Sequence, residues 1–236
     1  IDPAYLANRA ALIQAQSIGT AKPGKPPFIP TEPDLKLSWG KDQSPELPST
    51  SHFSVVDGAG HAVAMTTTIE DAFGSRLMVD GYLLNNQLTD FSFLPQDENG
   101  LIANRVQAGK RPRSSMSPTL VFDKNTKKFQ LAVGSPGGPA IIMFVSKVLV
   151  GVLAWEMSMQ EAIAMPNFGS RNGPVTLLET GWFTPQQIAD LQAKGHQVQQ
   201  YNLTSGLHGI MRATRNGETV YIGGADPRRE GVALGD

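Results

Sequence analysis

Between residues 50 and 68 apolar and polar positions alternate with period two, HFSVVD and AVAMTTT on either side of DGAGH. Such alternation around a Gly-containing turn predicts a β-hairpin. The pattern returns in TLVFD and KFQLAVG, joined by a polar turn around Lys124 to Lys127. Two helices are predicted next. The first starts after the GSPGG loop, and the second carries the capping box Ser158 to Glu161 before AIAM. VTLLE reads as a strand, and Thr184 and Gln187 cap a helix that stops at Lys194-Gly195. HQVQQY, HGIMRAT and ETVYIGG complete the pattern as strands, the last two joined through Asn216-Gly217. At the other end, DPAYLANRAALIQAQ places apolar residues near helical spacing and predicts a helix ending near Gly19. Strands, then helices, then strands give an α+β layered architecture with mainly antiparallel pairing.

Residues 20–49 break this order. They hold seven prolines without sustained periodicity, so they read as a long connector of the kind that is usually functional or disordered. The most apolar run, Ala140 to Trp155, is interrupted by Ser146 and Lys147 and is too short to cross a bilayer, so it reads as a buried helix. With 236 residues, 40% of them hydrophobic and 17% charged, the chain can bury a core as one large domain or two small ones. A net charge of -1 without a basic run excludes the electrostatic footprint of a nucleic-acid or polybasic membrane binder and favours small or neutral partners. Because there is no cysteine, thiol nucleophiles, disulfides and Cys-ligated zinc are excluded, and four scattered histidines form no metal signature. The chain begins Ile1-Asp2-Pro3, without Met or a signal-like segment, and reads as a piece of something longer whose targeting signals lie upstream.

The candidate chemistry sits where connector turns into hairpin, at Ser49-Thr50-Ser51-His52. Without Cys or metal the candidate nucleophiles are hydroxyls, which are weak unless a base stands beside them. No G-x-S-x-G motif is present. A threonine freed at an N-terminus carries its own base, an α-amine with an unperturbed pKa of about 8. Thr50 is therefore either a residue that opens a strand or, if the chain is cut before it, a nucleophile. His52 lies two residues on and shares its strand face, so it is a second candidate base or a structural histidine.

Four further segments bear on this choice: TTTIEDAFGS, LLNNQLTDFSF, KRPRSSMSPTLVF and GSPGGPAII. With TSHFSVVD from Thr50 and the terminal ADPRREG, they resemble in order and spacing the small subunit of the gamma-glutamyltransferases, and DPAYLANRAALI resembles the tail of that family's large subunit. The resemblance implies an N-terminal-nucleophile hydrolase, two β-sheets stacked between helical layers, part of which would come from the upstream region. It implies that a precursor cuts itself between Ser49 and Thr50, dividing residues 1–49 from a small catalytic subunit at 50–236. Thr50 then attacks γ-glutamyl amides such as glutathione and passes the acyl group to water, an amino acid or a peptide.

Residue by residue, Thr68 matches the threonine that hydrogen-bonds the nucleophile. Gln87 and Asp90 match the pair that receives the substrate's α-amino group, where a carboxylate is the natural counter-ion. Ser114 and Ser115 match the pair that holds the α-carboxylate, with Arg111 and Arg113 making the vicinity positive. Gly137 and Gly138 match the glycines whose N–H groups form the oxyanion hole. The implied partners are γ-glutamyl donors, amino-acid or peptide acceptors or water, and the large subunit of the same precursor. No cofactor, metal, nucleic acid or membrane span is implied, and the setting expected from the family is periplasmic or extracellular.

Some positions depart from the family pattern. Glu70 stands where many members have Asn near the α-amino group, GSPGGPA replaces GSPGGSR, and the segment from Asp90 to Ser114 is shorter than in members with a lid. The large-subunit arginine that pairs with the substrate carboxylate lies outside this chain. Two rivals follow: a related acylase acting on a glutaryl β-lactam, and a non-catalytic fragment or paralogue that never matures.

Overall fold

β1 (Thr50–Val56) and β2 (Ala62–Thr68) form the hairpin predicted around DGAGH, antiparallel with Thr50 opposite Thr68 and His52 opposite Thr66. Its alternation is real. Thr50, His52, Ser54 and Val56 turn inward, while Ser51, Phe53 and Val55 face out. The structure, a computed structural model, describes residues 2–24, 26–27, 40–42 and 49–235. Most of the predicted connector lies outside the described residues.

The second predicted hairpin is β3 (Thr119–Phe122) with β4 (Phe129–Gly134). Three further strands of the prediction are also present: β5 (Val175–Glu179), β6 (Gln197–Tyr201) and β7 (His208–Arg215). The last strand is β8 (Glu218–Ala225), reached from β7 through Asn216 and Gly217, both at positive φ. A four-stranded antiparallel sheet runs in the order β8-β7-β4-β3.

The two faces of this sheet are told apart by its glycines. A Cβ on Gly134 would meet the ring of His52, whereas one on Gly209 or Gly224 would meet Met159. The β1–β2 hairpin therefore covers one face. The other is covered by α2 (Ile141–Ala154) and α3 (Met159–Ala164), which are numbered after α1 (Pro3–Ala10). The core lies here, around Leu131, Val133, Phe144, Val148, Met159, Ile163 and Leu207, all almost wholly buried. Burying each such side chain is worth about 1.5–3 kcal/mol.

The apolar run Ala140 to Trp155 is indeed a helix with a buried face, and no helix among the described residues is long and apolar enough to cross a membrane. Lys147 is nonetheless buried within it, its ammonium donating to the carbonyls of Ile163 and Met165 at the end of α3. A cation suits the negative end of a helix. At its other end α3 has both bonds of the predicted capping box.

The chain forms two compact units, Ile1–Ser38 with Phe168–Asn202 and Trp39–Asn167 with Leu203–Asp236. In the first, β5 pairs in parallel with β6 and antiparallel with Phe168–Gly169. A parallel pair requires a crossover, which α4 (Pro185–Ala193) supplies, starting from a capping box at Thr184 and Gln187. The N-terminal helix is shorter than predicted. Capped by Asp2, it ends at Ala10, where the i→i−3 bonds Leu12 N–H to Arg9 and Ile13 N–H to Ala10 tighten the chain out of the helix. Ser17 N–H then bonds to the Lys194 carbonyl at 2.7 Å, and Ala21 and Asn172 exchange two hydrogen bonds. None of the helix's residues is buried, so nothing in tertiary packing extends it against these bonds.

Candidate active site

Thr50 enters the site as the first residue of β1, and strand pairing sets Thr68 opposite it. The Thr50 hydroxyl donates to Thr68 Oγ1 at 3.3 Å, and the Thr68 hydroxyl donates to the Ser49 carbonyl at 2.6 Å. Thr68 Oγ1 also accepts the Glu70 N–H at 2.9 Å. One side chain thus touches the hydroxyl at Thr50, the carbonyl that precedes it and the backbone that follows β2.

Glu70 is buried and sits at φ 76, a left-handed conformation that Asn adopts more readily than Glu. Its carboxylate accepts from Asn86 Nδ2 at 2.6 Å and from the Thr89 hydroxyl at 3.3 Å. The turn Gln87–Asp90 follows, in which the Gln87 amide donates to the Asp90 carboxylate. Gln87 and Asp90 both border the cavity below.

Gly137 and Gly138 follow β4, both at positive φ (138 and 55), before the chain enters α2. A Cβ at Gly137 would lie 2.6 Å from the Phe144 ring, so the loop is held close against the helix it precedes. Behind it, Ser135 donates to the Pro136 carbonyl and accepts the Gly206 N–H at 3.2 Å. The adjacent Ser205 hydroxyl and Leu207 N–H both donate to buried Asp226. Burial pushes the Asp226 carboxyl up, but the hydrogen bonds from Ser205, Leu207 and Arg228 outweigh it and hold the group below its ordinary value.

These pieces meet at one cavity, lined by Thr50, Thr68, Glu70, Gln87, Asp90, Ser114, Ser115 and Gly138 together with Arg113, Met116, Pro139 and Ile141. Of the residues singled out in the sequence, Gly137, Arg111 and the alternative base His52 do not line it. Glu70 follows β2 and is hydrogen-bonded to the segment that carries Gln87 and Asp90, while the serines stand with Arg113 on another segment. Such a cavity offers an ammonium and a carboxylate separate partners beside a hydroxyl. Among the described residues no cluster of His, Asp or Glu could hold a metal ion.

A profile of the gamma-glutamyltranspeptidase family matches residues 1–236. The chain belongs to the gamma-glutamyltranspeptidase family. It is 37% identical over 204 residues to the glutathione hydrolase proenzyme of Escherichia coli K12, an alignment covering 84% of this chain and 34% of that protein. To the proenzyme of Bacillus subtilis 168 it is 32% identical over 240 residues, 100% of this chain and 39% of that protein. The chain thus spans between a third and two fifths of the length of these relatives. Helicobacter pylori gamma-glutamyltranspeptidase has 36% identity and a TM-score of 0.68, covering 76% of this chain and 100% of that one. Cephalosporin acylase from Bacillus halodurans has a TM-score of 0.73 at 21% identity, over 96% of this chain and 37% of that one, a likeness of fold alone. The fold is the α+β architecture of the N-terminal-nucleophile hydrolases, with mainly antiparallel sheets.

Within this gamma-glutamyltranspeptidase fold His52 serves packing. Its ring shares hydrogen bonds with Thr66 Oγ1 at 2.8 Å and Ser54 Oγ at 3.1 Å, and it lies against Gly134. Burial, and secondarily His208, pushes the imidazole down to about 4. A ring with both nitrogens engaged by Thr66 and Ser54 is a poor base for Thr50. Sequence reasoning missed Asn86, which holds Glu70, and Asn104, which lies in a run without periodicity or motif and bonds to both Asp90 and Arg113. Arg113 was noted only for its charge nearby, and it borders the cavity itself.

Proposed function

We propose that this chain is the C-terminal part of a precursor that cuts itself between Ser49 and Thr50, and that Thr50 then transfers or hydrolyses γ-glutamyl groups of glutathione-like amides. The observation that carries the reading is the shared hydroxyl of Thr68, hydrogen-bonded to Thr50 and to the Ser49 carbonyl. In the uncut chain the Thr50 nitrogen is an amide and cannot act as a base. Attack of Thr50 Oγ1 on the Ser49 carbonyl, with Thr68 donating to that oxygen, breaks the C–N bond as the hydroxyl proton passes to the departing Thr50 nitrogen, and forms an ester. Water opens the ester, leaving a Ser49 carboxylate and a free Thr50 amine.

The amine then takes the proton of its own hydroxyl as that oxygen attacks a γ-glutamyl carbonyl. Gly137 and Gly138 N–H groups stabilise the oxyanion, a contribution of about 3–4 kcal/mol for one such donor. The departing amine receives the proton, and water or an amino group accepts the acyl group from Thr50. Gln87 and Asp90 receive the donor's α-ammonium, Ser114 and Ser115 its α-carboxylate, and Glu70 stands by the ammonium. The proenzyme names of the relatives support a large-subunit partner from the same precursor. A periplasmic or extracellular setting is part of the same reading, and cell fractionation tests it.

The deciding experiment uses the full-length precursor. Thr50→Ala should block both cleavage and turnover of γ-glutamyl-p-nitroanilide, and Thr50→Ser should retain some of each. Cleavage of the alanine variant before residue 50, read by N-terminal sequencing, would remove Thr50 from both roles. A processed wild type that prefers glutaryl-p-nitroanilide would replace this reading with that of an acylase.

A further inference from the structure

Asn104 stands behind the cavity and bonds to both of its walls. Its Nδ2 donates to the backbone carbonyl of Asp90 at 2.6 Å, and its Oδ1 accepts the backbone N–H of Arg113 at 3.0 Å. Arg113 leads directly into Ser114 and Ser115, and all three line the cavity with Asp90. The same Nδ2 also donates to the carboxylate of Asp42 at 2.8 Å, and Arg113 Nη1 reaches the same Asp42 oxygen at 3.1 Å. Asp42 is well covered, its side chain 12% exposed. Its short segment is pinned by Gly40 N–H to the Leu101 carbonyl at 3.0 Å and Lys41 N–H to Asp97 at 2.9 Å. Asp42 lies eight residues before Thr50, on the far side of the proposed cut.

We propose that Asn104 and Asp42 are specificity-positioning residues, which hold Asp90 at the separation from Arg113, Ser114 and Ser115 that fits the ammonium and carboxylate of one amino-acid head group. The inference rests on the amino-acid pocket of the proposed function. An amide can do this because it donates and accepts at once, and each partner of Asn104 uses the capacity its side chain has. Asp42 adds a second tie, because its carboxylate joins Asn104 to the guanidinium that precedes the serine pair. Selectivity between acyl donors therefore depends on a residue that ends, after processing, on the other polypeptide. The ligand class is an acyl donor with both groups of an α-amino acid.

The test compares γ-glutamyl-p-nitroanilide with glutaryl-p-nitroanilide, which keeps the carboxylate and lacks the ammonium, on fully processed full-length enzyme. Asn104→Ala should lower kcat/KM for the γ-glutamyl donor about tenfold, mostly through KM, and for the glutaryl donor about twofold. Asn104→Asp keeps an acceptor for the Arg113 N–H but loses the donor to Asp90 and meets the Asp42 charge, so it should fall at least as far. Asp42→Ala should shift selectivity in the same direction by about threefold, and Asp42→Asn by less. Equal loss on both donors, or a kcat effect without a KM effect, would overturn the positioning role. If Asn104→Ala fails to fold or process, the Asp42 variants decide by themselves, and unchanged selectivity in them rejects the proposal. A wild type with no preference for the γ-glutamyl donor removes the amino-acid pocket itself, a distinct failure visible before any variant is made.

Discussion

His52 and Gly134 meet with no room for a methyl group between them: a Cβ built on Gly134 would lie 2.2 Å from the imidazole Cε1. The glycine is needed for space, since its φ is ordinary, and the contact joins the strand that starts at Thr50 to the strand that ends at Gly134 itself. Gly134→Ala should therefore destabilise the protein by about 1–3 kcal/mol through overpacking. Adding His52→Ala should recover part of that loss, a coupling that a double-mutant cycle of melting curves would register. Strictly additive losses would mean that the two residues do not meet. The same ring gives a pH dependence with a definite sign. Its folded pKa, about 4, lies below the ordinary 6.5, so only the unfolded chain takes up the proton between these values. The His52 contribution to stability is therefore complete above about pH 6.5 and falls as the pH drops toward 4. Melting temperatures measured from pH 7.5 to 4.5 should decline more steeply in wild type than in His52→Gln, and parallel curves would refute the assignment.

Between elements, the loop carrying Gly137 and Gly138 is fixed by what lies on either side of it. Phe144 of α2 presses on it from the front, and Ser135, Gly206 and the Asp226 cluster hold it from behind. Gly138 lies at φ 55, where a β-branched residue is strained. In a processed full-length enzyme Gly138→Val should lower kcat far more than it weakens binding of a non-reactive γ-glutamyl analogue, because oxyanion donors act mainly on the charged intermediate. Equal proportional damage to both would argue against the oxyanion role. This scale also separates what the sequence disclosed from what it withheld. Hairpins and capped helices were legible because period-two alternation, Asn216-Gly217 and the Ser158 to Glu161 box are local signals. α1 was overestimated because its end depends on bonds formed far along the chain, Ser17 to Lys194 and Ala21 to Asn172. The cavity residues could be picked out by resemblance, since SSMSPT and GSPGG are contiguous. Asn104 could not, because its three partners come from three separate segments. Lys147 seemed a break in an apolar run, and only the fold supplies the α3 carbonyls that make its burial tolerable.

At the scale of the molecule, the β1–β2 hairpin covers the sheet with one face and, among the described residues, leaves the other exposed. Phe53, Val55, Val63 and Met65 on that outer face are 45%, 54%, 51% and 45% exposed. Contiguous exposed apolar residues on a pair of strands mark a surface that associates. The relatives are between two and three times as long as this chain, and in the proposed precursor the additional length lies upstream and supplies the partner. The hairpin is also the element that carries Thr50, so a partner that covers it would steady that residue as well. Residues 1–236 expressed alone should bind an apolar fluorescent dye, and co-expression with the upstream part of the precursor should abolish most of that binding and raise the melting temperature. Phe53→Ser with Val63→Ser should reduce the dye signal of the isolated chain and weaken co-purification of the two parts. The substitutions face away from the cavity, so residues at the site keep their hydrogen bonds and any loss of activity should follow the loss of association. Full co-purification of the double variant would show that the large-subunit region meets this chain elsewhere, and activity lost without dissociation would mean that the outer face acts on Thr50 directly.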